Sequence, residues 1–310
     1  MKILVTCPPM LGMQEQFLPI LKSYGGEATC PEVIQTLDVA ELERIVPEHD
    51  GWIIGDDPAT ESVFRAGKKG RLKAAVKWGI GVDNVDFQAC RELEIPITNT
   101  PGMFGDEVAD IALGYVIGLA RELFFIDREI RKGGWPKPRG NSLRGKMAAV
   151  VGYGDIGSKT ANRLASLGMK VICYDPAIQH LDRYDIELVI WPERIEECDY
   201  LIFTCALNVN TFHMLDETML GGCKPGVSVV NVARGALIDE NALMQALKNG
   251  HVRSAALDVF EIEPLPANSY LREHPQCIFG SHNSSNTSEA VARTNLIAIE
   301  KLMGFLGRSK

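Results

Sequence analysis

The sequence predicts an α/β protein with helices packed on parallel sheet, on three observations. Apolar runs of strand length alternate with helical stretches, a Gly-x-Gly-x-x-Gly turn separates one such strand from one such helix, and the composition is that of a globular chain. With 310 residues, 46% hydrophobic and 23% charged, the chain has length for about two domains. A net charge of −8 offers no basic field, so neither nucleic acid nor an anionic membrane is an expected partner. The cysteines (7, 30, 90, 173, 198, 205, 223, 277) are scattered without a Cys-x-x-Cys pair, and several sit inside apolar runs. They read as small buried hydrophobes in a reducing compartment, and no metal site is expected. Pro8 and Pro9 cut the first apolar run too short for a signal peptide, and Ile111 to Ala120 is too short to span a bilayer. A cytoplasmic location is the expectation.

In order, strands are predicted at residues 3–7, 51–54, 72–76 and 95–98, with helices between them at Gln14 to Leu21 and Val39 to Val46. Val108, Ile111, Ala112, Tyr115, Leu119, Leu123, Ile126 and Ile130 then recur at three-to-four spacing. They predict one long helix from about Asp106, as N-cap, to Lys132, stopped by Gly133-Gly134. Strands follow at 147–151, from Lys170 to Asp175, and at 200–205, 227–232, 255–257 and 277–279, with a closing helix over 288–306. Periodicity does not say which half of the chain that last helix joins.

Gly152-Tyr153-Gly154-Asp155-Ile156-Gly157 follows the strand at 147–151 and opens a helix. Gly152 allows the tight turn and Gly154 lets backbone approach a pyrophosphate. Gly157 lets the helix lie close to the strand, and the helix N-terminus offers free N–H groups to the anion. Asp175, 18 residues after Gly157, ends the next strand, where a carboxylate accepts from a ribose diol and repels a 2′-phosphate. Both features point to NAD rather than NADP, with Pro176 adjoining.

Three later strand ends carry side chains suited to chemistry. Arg234 follows the run ending at Val232-Ala233, and its planar fork suits a carboxylate. Glu263 lies in Asp258-Val259-Phe260-Glu261-Ile262-Glu263-Pro264, and His282 in Gly280-Ser281-His282-Asn283. In a parallel sheet such ends share one edge, where ligands bind.

This arrangement resembles the D-isomer-specific 2-hydroxyacid dehydrogenase family over nearly the whole chain. The run Asn231 to Asp239, the Asp258 to Pro264 block, His282, Gly79-Ile80-Gly81-Val82-Asp83-Asn84-Val85-Asp86 and Asn99-Thr100-Pro101-Gly102 carry the resemblance. It implies two doubly wound, Rossmann-like parallel-sheet domains, the cofactor domain (100–283) inserted into a flavodoxin-like substrate domain (1–99 and 284–310). It implies a homodimer, NAD as cofactor and a small 2-hydroxyacid/2-oxoacid as substrate. It also implies roles. Arg234 binds the carboxylate and polarises the C2 oxygen, His282 exchanges a proton with that oxygen, and Glu263 holds His282. Asp258 meets the nicotinamide carboxamide. Cys205, Ala206, Val232 and Ala233 wall the cofactor, and Trp78, Gly79, Ile80 and Gly81 receive the substrate, backbone N–H groups around Gly79 and Ile80 taking its carboxylate.

The chemistry is consistent with those roles. Hydride addition to a 2-oxoacid builds negative charge on the carbonyl oxygen, which needs a cation and a proton donor nearby. An ordinary histidine titrates near 6.5 and a neighbouring carboxylate raises that value. The family's formate dehydrogenases carry Gln where Glu263 stands, so formate is disfavoured. Two departures matter. Thr204-Cys205-Ala206 replaces a His-x-Pro seen in many members. Asp56 and Asp57 stand in the loop Gly55 to Thr60, where phosphoglycerate dehydrogenases usually place arginines. Two carboxylates facing the site would repel a phosphate, which disfavours 3-phosphoglycerate. Lys77, Trp78, Phe104 and Arg139 are candidate substrate-wall residues, with a core or surface role the favoured reading for each. The rival reading is an NAD(H)-sensing regulator on the same fold.

Overall fold

The computed structural model describes residues 1–181 and 183–308. The chain divides into two compact units, one formed by Met1–Met103 with the segment from Asn286 onward, the other by Phe104–Ser285. Each is a parallel sheet with helices on it.

The first unit runs β1 (Lys2–Val5), α1 (Pro8–Leu11), α2 (Gln14–Ser23), β2 (Glu27–Thr29), α3 (Val39–Ile45), β3 (Gly51–Ile54), α4 (Glu61–Lys69), β4 (Ala74–Lys77), α5 (Phe87–Glu92) and β5 (Ile97–Asn99). Strand order is β2-β1-β3-β4-β5, all parallel, with the order reversing between β1 and β3. In β3 and β4 all residues are buried, as expected of strands covered on both faces. Trp52 and Phe64, both without exposed surface, pack with their rings tilted at 53° in the core between the sheet and α3–α4.

The second unit runs α6 (Gly105–Arg121), α7 (Leu123–Arg131), β6 (Met147–Val151), α8 (Asp155–Ser166), β7 (Lys170–Tyr174), β8 (Ile186–Leu188), β9 (Tyr200–Phe203), α9 (Glu217–Gly222), β10 (Val227–Asn231), α10 (Glu240–Lys248), β11 (Val252–Leu257) and β12 (Cys277–Phe279). Its order is β12-β11-β10-β9-β6-β7-β8. The order reverses at β6, the strand that leads into the glycine turn, which is where this architecture binds dinucleotides. Asp106 and Asp110 on α6 pair with Lys159 and Arg163 on α8 (2.7–3.0 Å).

The last helix, α11 (Ser288–Phe305), belongs to the first unit and packs on α2, β3 and β4. Its buried Val291, Asn295, Ala298 and Leu302 recur at three-to-four spacing, and Thr287 caps it by accepting from Ala290 N.

The single helix expected over 106–132 is two. Glu122 adopts a left-handed backbone (φ 54°) between α6 and α7, and α6 starts at Gly105, not with Asp106 as cap. No Gly or Pro marks the break. It is held by the Glu122 carboxylate on Arg253 of β11 (3.0 Å) and by Phe124 packing onto Gly118. The short edge strands β2 and β8 were not expected, since neither carries an apolar run. No helix among the described residues is long and apolar enough to cross a membrane. The eight cysteines are free thiols, and burial pushes those of Cys173, Cys205, Cys223 and Cys277 up to about 12.

Candidate active site

In the second unit the sheet brings the expected residues to one edge. Because β10, β11 and β12 are parallel neighbours, with Asn231 beside Leu257 and Leu257 beside Phe279, their C-terminal ends align. Adjacent strands lie about 4.8 Å apart, so the segments carrying Arg234, Glu263 and His282 leave the sheet within roughly 10 Å. The ladder continues past the strands: Asp258 N donates to Asn231 O (2.9 Å), and His282 N donates to Asp258 O (2.7 Å). β9 and β6 follow in the same edge, with Val151 beside Phe203 and Phe203 beside Asn231.

His282 Nδ1 lies 2.8 Å from Glu263 Oε2, and Glu263 Oε1 accepts from Phe260 N (3.0 Å). An ionised carboxylate only accepts, so Nδ1 carries the hydrogen and Nε2 faces away from the pair. Both side chains are mostly buried, 23% and 19% exposed. Nearby, burial and the charges of Glu261 and Glu263 push the Glu240 carboxyl above the ordinary range. Arg234 is half-buried; its Nη1 donates to Ala233 O (2.8 Å), and Asn231 Nδ2 donates to Arg234 O (2.8 Å), which fixes the turn.

Asp258 follows β11 and is buried. Its carboxylate accepts from Asn283 N (3.2 Å), Ser284 N (2.9 Å), Ser284 Oγ and the Tyr115 hydroxyl. Through these bonds Asp258 holds the segment carrying His282. Gly280 is required there, because a β-carbon on it would overlap Asp258 Oδ1 and lie 2.5 Å from the Tyr115 hydroxyl. Burial, and then Asp258, push the Tyr115 phenol well above its usual range.

The glycine turn has the geometry a dinucleotide needs. Gly152 is buried with φ 94°, Gly154 is exposed, and Gly157 lies in the first turn of α8 against the Gly152 carbonyl. Asp155 pairs with Lys159 (3.0 Å), and Ile156 is half-buried. Asp175 Oδ2 accepts from Tyr153 N (2.8 Å) and Oδ1 from Ala177 N (2.9 Å), so the carboxylate is fixed beside the turn while each oxygen keeps a free lone pair. Pro176 is exposed beside it. Cys205 backs directly onto Gly152, and Ala206 is exposed; Val232 and Ala233 are buried. Thr204, to which the sequence assigned no role, donates its hydroxyl to Gly152 O (2.8 Å) and ties β9 to the turn. Among the described residues no group of three or more His, Cys, Asp or Glu could hold a metal ion.

In the first unit the loop after β4 carries Trp78, Gly79, Ile80 and Gly81. Trp78 is 5% exposed and donates Nε1 to Asn295 Oδ1 of α11 (2.8 Å), so its ring is part of the core. Gly79 N, expected to receive a carboxylate, donates to Thr100 Oγ1 (2.8 Å) and is already spent. The Ile80 and Gly81 N–H groups make no hydrogen bond among the described residues. The repulsion expected from Asp56 and Asp57 also falls away. Asp57 is fully buried, accepting from Thr6, Leu37 N and Gly55 N, and burial pushes its pKa up. Asp56 pairs with the buried Lys77 (3.0 Å).

The sequence model described as "D-isomer specific 2-hydroxyacid dehydrogenase, NAD binding domain" matches residues 113–284. The chain belongs to the D-isomer-specific 2-hydroxyacid dehydrogenase family. It is 34% identical over 277 residues to a hydroxypyruvate reductase of Thermotoga maritima, covering 87% of this chain and 89% of that one. It is 30% identical over 308 residues to a D-3-phosphoglycerate dehydrogenase of Archaeoglobus fulgidus, covering 98% of this chain and 57% of that one. Its fold matches the TT0316 protein of Thermus thermophilus with a TM-score of 0.88 at 30% identity, over 100% and 98% of the two chains. Membership makes the chain an NAD(H)-binding oxidoreductase of the class that works on 2-hydroxyacid/2-oxoacid pairs, and the turn from Gly152 to Gly157 with Asp175 fits that cofactor.

Proposed function

We propose that the chain interconverts a D-2-hydroxyacid and its 2-oxoacid, with NAD(H) as redox partner. The observation that carries this reading is the Glu263–His282 pair, whose residues follow the first and second strands beyond Arg234's on the sheet edge that also carries the dinucleotide turn. The bound cofactor supplies or accepts the hydride at C2. Arg234 polarises the C2 oxygen and offsets its developing charge. His282 Nε2 gives its proton to that oxygen in reduction and takes it back in oxidation, while Glu263 fixes the ring and stabilises the imidazolium. The Ile80 and Gly81 N–H groups receive the substrate's carboxylate, an anion held by backbone donors. The protein works as a cytoplasmic homodimer.

The test is a panel of glyoxylate, hydroxypyruvate, pyruvate and 3-phosphohydroxypyruvate, each followed by NADH absorbance. Reduction of at least one, giving the D product, is expected. NADH binding without turnover on any would favour the regulator reading instead. The phosphorylated acid belongs in the panel because neither Asp56 nor Asp57 presents an unpaired charge against it.

Cofactor choice rests on Asp175. The Asp175→Ser variant is expected to raise NADPH use relative to NADH roughly tenfold or more, since a like charge facing the 2′-phosphate is removed. Rates with both cofactors decide it, and an unchanged preference would detach Asp175 from the ribose.

A further inference from the structure

The loop after β4 is held plane by plane. Lys77 Nζ donates to Trp78 O (3.0 Å), and the next N–H, that of Gly79, donates to Thr100 Oγ1 (2.8 Å). Gly79 O accepts from Thr100 N (3.1 Å), and Ile80 O accepts from Asn99 Nδ2 (2.9 Å). A trans peptide points its N–H opposite its carbonyl. With the Gly79 and Ile80 carbonyls both tied back to the end of β5, the following N–H groups, of Ile80 and Gly81, face the other way.

Each tie comes from a side chain or backbone group that is itself fixed. Thr100 is fully buried. Lys301 Nζ on α11 donates to Asn99 O (2.7 Å), which steadies the segment carrying both residues. Lys77 is 3% exposed in its side chain, and its ammonium lies 3.6 Å from where a β-carbon on Gly79 would stand, so a cation sits against the loop. Asp56 takes another of its hydrogens (3.0 Å) and keeps that buried charge paired.

We infer that Thr100, Asn99 and Lys77 are positioning residues that preset the Ile80 and Gly81 N–H groups as a carboxylate cradle. Two donors fixed before binding need not be ordered by the ligand, so a small anion is held more tightly than by a mobile loop. The inference rests on the proposed carboxylate role of that loop, and goes beyond it by naming what shapes the cradle.

The test separates the two. Protein saturated with NADH is titrated with oxamate, a carboxylate-bearing 2-oxoacid analogue, and with neutral oxamide, following NADH fluorescence. The unaltered protein is expected to prefer oxamate by tenfold or more. Thr100→Val keeps the shape and loses the hydroxyl; it is expected to weaken oxamate roughly tenfold with NADH affinity unchanged, and Thr100→Ser to restore it. Asn99→Ala, at a half-buried position, is expected to weaken oxamate about threefold, and it decides the matter if Thr100→Val also loses NADH binding. Preference for oxamate with no loss in either Thr100→Val or Asn99→Ala would overturn the positioning role and leave the carboxylate reading standing. A failure of Thr100→Ser to restore binding would also overturn it. No preference in the unaltered protein would remove the cradle altogether.

Discussion

Replacing His282 with alanine is expected to lower kcat by about 10²–10⁴, equivalent to about 3–5 kcal/mol of barrier, while the Kd for NADH stays near normal. The imidazole is the proton donor of the proposed reaction, and alanine leaves the C2 oxygen only water. The separation of kcat from cofactor affinity follows from how the residue is held. The backbone of His282 is fixed by its N–H on Asp258 O, and Asp258 in turn by Asn283, Ser284 and Tyr115. None of these bonds uses the imidazole, so the segment keeps its course in the variant. The dinucleotide turn, on β6, lies four strands from β12, the strand that leads to His282, and gains nothing from the ring. Glu263→Gln is a companion: the ring keeps an acceptor at Nδ1, but the charge that stabilises the imidazolium is gone, and an intermediate loss of roughly tenfold is expected. Steady-state kinetics and an NADH titration check both. Full activity in His282→Ala would take this residue out of the mechanism.

Gly157→Val is expected to weaken NADH binding by roughly 100-fold or more and to destabilise the second unit by about 1–3 kcal/mol. A β-carbon at Gly157 would overlap the Gly152 carbonyl oxygen and stand 2.8 Å from both the Gly152 carbonyl carbon and Thr204 Oγ1. None of these atoms is a flexible side-chain end. Gly152 is anchored by its N–H on Tyr174 O (2.8 Å) and by the Thr204 hydroxyl on its carbonyl (2.8 Å). The helix must therefore move off the strand, carrying its N-terminal N–H groups away from the anion they would bind. Gly154→Ala gives the contrast. Nothing lies within 4 Å of its β-carbon position and its φ is −72°, so the fold should be unaffected while the pyrophosphate is crowded. Fluorescence titration with thermal melts distinguishes the pair: Gly157→Val is expected to lose both affinity and Tm, Gly154→Ala affinity alone. Unaltered NADH affinity in Gly157→Val would mean that close strand–helix packing is not what holds the cofactor.

The parts of the site that were legible in the sequence are those written in short local patterns. A buried strand reads as an apolar run, a helix N-terminus that must approach a strand reads as a glycine, and a strand-end acid reads from its spacing. Arg234, Glu263 and His282 were legible because each follows such a run, and parallel strands leave the sheet at one edge. The break at Glu122 was not legible, since periodicity continues across it and the cause, Arg253, is 131 residues away. Nor could a carboxylate's direction be read. Asp56 and Asp57 are neighbours in the chain, yet one meets Lys77 at the end of β4 and the other is buried against Thr6 and two backbone N–H groups.

By itself, then, the sequence determined the α/β class, the dinucleotide turn and the three strand-end side chains. All of these depend on residues a few positions apart. Only the tertiary structure shows that Asp258 accepts from the His282 segment, that Gly79 N–H donates to Thr100, and that the Ile80 and Gly81 N–H groups make no hydrogen bond among the described residues. The physical reason is that a polar group's role is set by whatever fills its hydrogen-bonding capacity. Here the partners on neighbouring strand ends lie 21 to 26 residues away and meet only when β4 lies beside β5 and β11 beside β12, and Tyr115 reaches Asp258 from α6.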